Sequence, residues 1–208
     1  TVTVADHQQP VITTADRTVS NDAGLCSAVV TLGTTASDNC AVATLVGTRG
    51  DGLALTDPFP KGATTVSWLA TDVHGNTATA TQHVTVNDTE KPTVTAPAAL
   101  NLTTGPGATQ CGLMVSDATL GSPTAQDNCG VSVERTGVPA GNFFPVGTTT
   151  ITYTATDPSG NTAVATQTVT VVDDTPPTIT LSNFDVSTDP GACSAGISSL
   201  GASANDNC

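Results

Sequence analysis

Positive charge is the scarcest feature of this sequence. Five Lys and Arg residues stand against eighteen Asp and Glu, a formal net charge of −13. Such a surface repels nucleic-acid phosphates and anionic headgroups, so nucleic acid is not expected as a partner, and no direct membrane insertion is expected in this segment. Aromatic residues make up only 3% of the chain. That is little for a carbohydrate-binding surface, which needs exposed rings. No sustained helical stripe is present, because the alanine-rich stretches are interrupted by Thr, Gly and Pro. No signal peptide, transmembrane run or anchor is visible. There is no Cys-x-x-Cys, which argues against zinc, and no Gly-x-Ser-x-Gly, so no enzyme is expected.

What the sequence does have is repetition. Thr71-Asp72-Val73-His74-Gly75-Asn76 returns 85 positions later as Thr156-Asp157-Pro158-Ser159-Gly160-Asn161. Val84-Thr85-Val86 returns as Val169-Thr170-Val171 and appears earlier as Val2-Thr3-Val4. Asp-Asn-Cys ends at Cys40, Cys129 and Cys208. The histidines His7, His74 and His83 have no counterparts at this spacing. A period of this length is that of a small domain rather than a solenoid unit. The expected division is the last strand of a preceding repeat at 1–6, full repeats at 7–89 and 90–174, and the first part of a further repeat at 175–208. The segment is read as a window on a longer protein.

Valine, alanine and threonine dominate, a mixture suited to pleated, half-buried strands. Val66, Trp68 and Ala70 alternate with Thr65, Ser67 and Leu69, and Ile151, Tyr153 and Ala155 hold the same phase. After the Asp-x-x-Gly-Asn turn, Ala78, Ala80, Val84 and Val86 alternate with threonine. Period two on both sides of a Gly/Asn turn predicts a hairpin with one buried face, and a core role for Trp68 and Tyr153. About seven short strands per repeat predict an all-β fold of tandem immunoglobulin-like antiparallel β-sandwiches. The short, proline-ended linker Asp88-Thr89-Glu90-Lys91-Pro92 predicts units arranged end to end as a rod.

The cysteines come two per repeat: Cys26 with Cys40, Cys111 with Cys129, and Cys193 with Cys208. Six cysteines allow 15 pairings in principle, and repeat logic favours closure within each unit. Such bonds need an oxidising compartment. One tension stands against this pairing. If the strand after Cys26 runs straight, Cys40 lies at the opposite pole, beyond the roughly 7 Å that a disulfide tolerates between Cα atoms.

The motifs occur in a fixed order: Cys, Asp-Asn-Cys, Phe-Pro-x-Gly, Ala-Thr-Asp-x-x-Gly-Asn-Thr-Ala, then Val-Thr-Val-x-Asp. In that order the chain resembles the hyalin repeat (HYR) domain. The resemblance implies an immunoglobulin-like module of extracellular proteins, associated with adhesion and without catalytic residues. Two cysteines per repeat resemble the form in large bacterial surface adhesins.

Three sets of acidic and amide residues map to the repeat junctions. They are Asp6, Asp38, Asn39, Asp72 and Asn76; Asp88, Asp127, Asn128, Asp157 and Asn161; and, in the cut repeat, Asp173, Asp206 and Asn207. Converging carboxylates and amide carbonyls are what Ca²⁺ requires, and a bound ion would lock adjacent repeats. The same residues also favour turns without any ion. The expected function is a structural stalk or filament segment of a secreted cell-surface adhesin. Its partners would be neighbouring repeats and a surface protein or glycan ligand. The alternative is a carbohydrate-binding or spacer module of a secreted enzyme.

Overall fold

The computed structural model describes residues 1–181, 183, 185–197 and 201–208. The first series of strands is β1 (Val11–Thr13), β2 (Arg17–Ser20), β3 (Ser27–Ala28), β4 (Thr35–Ser37), β5 (Val42–Arg49), β6 (Phe59–Pro60), β7 (Gly62–Asp72) and β8 (Thr77–Asn87). The second runs β9 (Thr93–Thr95), β10 (Leu100–Thr103), β11 (Gly112–Met114), the short helix α1 (Asp117–Leu120), β12 (Thr124–Gln126), β13 (Ser132–Thr136), β14 (Phe143–Pro145), β15 (Gly147–Thr156) and β16 (Thr162–Val172). A last antiparallel pair, β17 (Thr178–Leu181) and β18 (Ala202–Asn205), follows. The fold is nearly all-β.

Compactness divides the chain into two units. The first comprises residues 1–94, 125–133 and 155–163; the second comprises 95–124, 134–154 and 164–208. In the first, β2-β8-β7-β5 form one sheet, and β1–β4 and β3–β6 form small pairs. In the second, the corresponding sheet is β10-β16-β15-β13, with β11–β14 paired beside it.

The hairpin read from alternation is present: β7 pairs antiparallel with β8, Trp68 opposite Ala80 and Ala70 opposite Ala78. Val66, Trp68, Ala70, Val84 and Val86 are buried, and Phe59, Ala28 and Leu32 complete this core. Each large apolar side chain removed from water in this way contributes roughly 1.5–3 kcal/mol. The second core repeats the scheme with Phe144, Ile151, Tyr153, Val169, Val171, Val115 and Leu120.

The antiparallel expectation needs one amendment. β2 runs parallel to β8, Val19 opposite Val86, and β10 runs parallel to β16, Leu102 opposite Val171. The chain reaches this edge only after a crossing from β1, so the entering strand lies alongside the last strand in the same direction. Parallel neighbours require such a crossover.

One polar residue interrupts the buried face of β8 and one that of β16. Gln82 and Gln167, 85 positions apart, are almost wholly buried. Gln82 accepts from Trp68 Nε1 at 3.1 Å and donates to the carbonyls of Ala15 and Leu32 at 2.6 and 3.1 Å. Gln167 accepts from the Tyr153 hydroxyl at 2.9 Å and donates to Ala98 and Leu120 at 2.8 and 3.0 Å. Each amide therefore satisfies a buried aromatic donor and ties in two backbone carbonyls.

Candidate metal centres

The acids predicted at the junctions come together in two groups. Asp6, Asp38 and Asp72 each place a carboxylate oxygen so that all three lie within 4.8 Å of one another, and Asp88, Asp127 and Asp157 do the same. Both groups lie inside the first compact unit. Ca²⁺–oxygen bonds of roughly 2.4 Å allow two ligands of one ion to be at most about 4.8 Å apart, so both triads are compatible with a shared cation.

Each triad draws on three local devices. The first is the turn after β7 or β15. Asp72 Oδ1 accepts from the His74 and Asn76 backbone, both at 2.8 Å, and Oδ2 accepts from the Asn76 amide at 2.7 Å. Asp157 accepts equivalently from Ser159 and Asn161. Gly75 and Gly160 supply the left-handed residue of each turn, at φ 91° and 89°. The second device is the Asp-Asn-Cys loop, where Asp38 and Asp127 accept from the Cys40 and Cys129 amides at 2.9 and 2.8 Å. The third is the linker. Asn76 donates to the Asp6 carbonyl at 3.3 Å and Asn161 to the Asp88 carbonyl at 3.2 Å, tying linker to turn.

Burial pushes the Asp72 and Asp157 carboxyls up, but the hydrogen bonds from Asn76, His74, Asn161 and Ser159 outweigh it and hold both below the usual carboxylate range. The backbone of Gln8 chiefly holds Asp6 down as well. The turn carboxylates thus stay ionised and already accept three hydrogen bonds each. The free capacity lies elsewhere: Asp6 Oδ2 and Asn128 Oδ1 are buried without a hydrogen-bond partner. Two nitrogen-bearing side chains that the sequence did not single out as site residues stand near the triads. His74 Nδ1 lies 3.6 Å from Asp6 Oδ2, and Lys61 Nζ lies 3.8 Å from Asp88 Oδ2.

The third set is less complete among the described residues. Asn207 donates to Asp173 Oδ1 at 3.2 Å, and Asp206 accepts from the Asn207 amide at 2.8 Å. Asp173 is held down mainly by the Thr175 backbone. Asn207 Oδ1 is buried and unpartnered, as Asn128 Oδ1 is.

The cysteines correct the expected pairing. Cys26 bonds Cys129 and Cys111 bonds Cys208, with Cα atoms 4.9 and 4.8 Å apart. Cys40 and Cys193 are free and exposed. Closure of Cys26 with Cys40, Cys111 with Cys129, and Cys193 with Cys208 is therefore overturned. The reason is strand length. Cys26 accepts from the Lys61 amide beside the start of β7, whereas Ala41, next to Cys40, accepts from Val73 beside its end. β7 has 11 residues, so these two poles are roughly 33 Å apart at about 3.3 Å per residue.

Each bonded pair carries a second tie. Asn128 donates to the carbonyl of Leu25, the residue before Cys26, at 2.8 Å. Asn207 donates to that of Gln110, before Cys111, at 3.3 Å. The Asn of Asp-Asn-Cys thus meets the backbone that brings in the partner cysteine.

Residues 87–171 match the HYR domain family. The chain is 37% identical to hyalin of Strongylocentrotus purpuratus over 95% of its own length and 16% of that protein. It is 40% identical to hyalin of Lytechinus variegatus over 72% of its length and 28% of that protein. The chain therefore spans less than a third of either. Among solved structures, fibronectin(III)-like modules of Clostridium thermocellum CbhA share 18% identity at a TM-score of 0.29, over 78% of this chain and 95% of that one. Drosophila N-cadherin EC1-4 shares 12% at 0.35, over 79% and 49%. Likenesses this weak decide nothing about the present chain. The match over residues 87–171 includes Cys111, Asp127-Asn128-Cys129, Phe144-Pro145 and the Asp157–Asn161 turn, and the hyalin identities extend across most of the rest: the chain carries an HYR domain.

Proposed function

We propose that this chain is a structural segment of a secreted, cell-surface adhesion protein. Its successive HYR repeats project a binding region from the surface, with Ca²⁺ held at the acidic triads where one repeat follows another in sequence. The relatives in hand support the class: two are hyalins, and a third, 35% identical over half of this chain and 3% of its own length, is a Sushi, von Willebrand factor type A, EGF and pentraxin domain-containing protein of Rattus norvegicus. Two disulfides favour an oxidising compartment. Among the described residues no helix is long and apolar enough to cross a membrane.

The observation that carries the calcium reading is that one construction occurs twice. In both triads an acid from the linker, one from the Asp-Asn-Cys loop and one from the turn converge within 4.8 Å. Two buried side-chain oxygens there have no hydrogen-bond partner: Asp6 Oδ2, of the first triad, and Asn128 Oδ1, on the residue after Asp127 of the second. Bound Ca²⁺ would offset two of the three carboxylate charges and couple three segments distant in sequence. The carbohydrate-binding alternative draws no support from the rings among the described residues: Phe59, Trp68, Phe144 and Tyr153 are buried and Phe143 is half-buried.

Titration calorimetry with CaCl₂ on the chelator-stripped chain tests this directly. Saturable binding is expected, with a melting temperature that rises with Ca²⁺ and falls on adding chelator, and D88N with D157N should remove one class of site. Absence of binding heat together with a melting temperature indifferent to chelator would end the calcium reading and leave the acids as turn formers.

A further inference from the structure

The second triad already holds a positive charge of its own. The Asp88 side chain is wholly withdrawn from solvent, and Lys61 Nζ lies 3.8 Å from its Oδ2. Among the described residues this is the one lysine or arginine nitrogen within 4 Å of the Asp88, Asp127 or Asp157 carboxylates. A carboxylate taken out of water is costly unless it is paired. Asp88 also accepts from the Glu90 backbone through Oδ1 and from the Ser159 hydroxyl through Oδ2, both at 3.2 Å. With Asp127 and Asp157 oxygens within 4.8 Å, three formal negative charges converge here, and the ammonium offsets one of them. All of these residues belong to the first compact unit.

The fold does not demand a lysine at this position. Lys61 donates its backbone N–H to the Cys26 carbonyl at 3.1 Å, and Val146, 85 positions on, donates to the Cys111 carbonyl at 3.3 Å. Phe59-Pro60 and Phe144-Pro145 precede the two positions, and Gly62 and Gly147 follow them. The same loop is thus built with a valine. Nor is the ammonium locked in place. A separation of 3.8 Å is longer than a hydrogen bond. The side chain is a quarter exposed and lines a cleft of about 370 Å³ with Asn87, Asp88, Pro158 and Ser159. A lysine stem can pivot in such a cleft while its head returns to water.

We propose that Lys61 is a tethered counter-cation for the Asp88, Asp127 and Asp157 triad, holding its carboxylates together when no divalent ion is bound and opposing the entry of one. The second role rests on the calcium reading; the first concerns the ion-free chain alone. A dication approaching the triad meets two net negative charges rather than three, and an ammonium beside one of the acids that would bind it. Moving Lys61 into the cleft relieves that repulsion but gives up its contact with Asp88. Ca²⁺ therefore fills this triad only above a concentration that Lys61 raises. Removing the ammonium has opposite effects on the two states: it weakens the ion-free triad and strengthens the ion-bound one. Loss of packing alone would weaken both.

The test compares wild type, K61M and K61R, each as the whole 208-residue chain, by CaCl₂ titration calorimetry and by thermal melts in chelator. K61M should bind Ca²⁺ roughly tenfold more tightly at the class of site that D88N with D157N removes, the order of change expected when one like charge is taken from beside an ion. In chelator K61M should melt several degrees below wild type, because Asp88 then stays buried without its counter-charge. K61R, which keeps the charge, should follow wild type in both measurements. A calcium affinity in K61M equal to or below that of wild type overturns the proposal and leaves the calcium reading standing. A K61M melt in chelator equal to that of wild type overturns it too, as does K61R behaving like K61M, which would assign the effect to packing. Absence of binding heat in wild type and K61M alike ends the calcium reading and the opposing role together. Binding heat in K61M alone upholds the proposal, with Lys61 closing the site. K61Q, polar and close to lysine in length, repeats each comparison if K61M does not fold.

Discussion

Two Asp-Asn-Cys loops lie in the first compact unit, and only one of them has met its partner. At Cys129 the cysteine is bonded to Cys26 and Asn128 is tied to Leu25 O. At Cys40 the loop keeps its aspartate-to-amide bond but neither of the other two. The comparison separates what the loop does alone from what the incoming segment adds. The Asx-type hydrogen bond is a local product of the sequence, and the triad of Asp6, Asp38 and Asp72 comes together beside this loop without the disulfide. The disulfide and the amide–carbonyl tie arrive with another piece of chain. A further difference is conformational: the residue after the cysteine is Ala41 at φ 131° in one loop and Gly130 at φ 98° in the other.

The comparison breaks most visibly if the bonded loop is made to resemble the free one. C26A opens a closure spanning 103 positions, and cross-links closing loops of about 100 residues contribute about 4–5 kcal/mol by loop-closure entropy. Urea denaturation of C26A should show a loss of that order, and reduced wild type should not exceed the stability of C26A. Equal stability of C26A and oxidised wild type would mean that the clasp is incidental. Next in size is the buried amide shared by the two repeats. Q82L leaves Trp68 Nε1 without a partner and removes the Gln82 donor from the carbonyls of Ala15 and Leu32, the latter keeping Arg17 Nε, and Q167L takes the partner from the Tyr153 hydroxyl and the donor from Ala98 and Leu120. Each should lower stability by about 3 kcal/mol, since an unsatisfied buried group costs roughly 1–3 kcal/mol. A large effect from one and none from the other would show that the two sites are not equivalent. The smallest effect concerns backbone strain. A41G should stabilise by about 1 kcal/mol, and G130A should destabilise by a similar amount, because only glycine adopts positive φ freely. A Cβ at Gly130 would meet nothing within 4 Å, so thermal melts of the pair read strain rather than collision.

Much of this organisation was legible in the sequence because it is local. Alternation on either side of Gly75 and Gly160 marked the hairpins, and Asp and Asn at fixed offsets marked the turns and triads. The cysteine pairing was not legible in the same way. Repeats carry the same residues at equivalent positions, so nothing near Cys26 distinguishes Cys40 from Cys129 as its partner. The usable signal was length: an 11-residue strand sets the two cysteines of one repeat at opposite poles, an objection visible in the sequence but ranked there below the appeal of self-contained units, and it is the separation that prevails in the fold. Gln82 and Gln167 were also visible in principle, as polar residues in the buried phase of β8 and β16 recurring at the repeat period. Alternation alone says that they are inside and does not say which carbonyls they meet. The parallel edges of β2 and β10 depend on a crossing whose direction no short-range pattern encodes.

The offset of the two disulfides has a mechanical consequence. The loops they close, 26 to 129 and 111 to 208, overlap. A pull between the first residue and the last can pass from Cys26 directly to Cys129, run back along the 18 positions to Cys111 (129 − 111), and leave through Cys208. Most of both β-sandwich cores lies off that route. Under tension the chain therefore stays short even if its sheets melt, and a single peptide-bond cut anywhere from residue 26 to residue 208 leaves its two pieces tethered. Reduction of the disulfides, rather than unfolding or nicking, is what would let it lengthen or part.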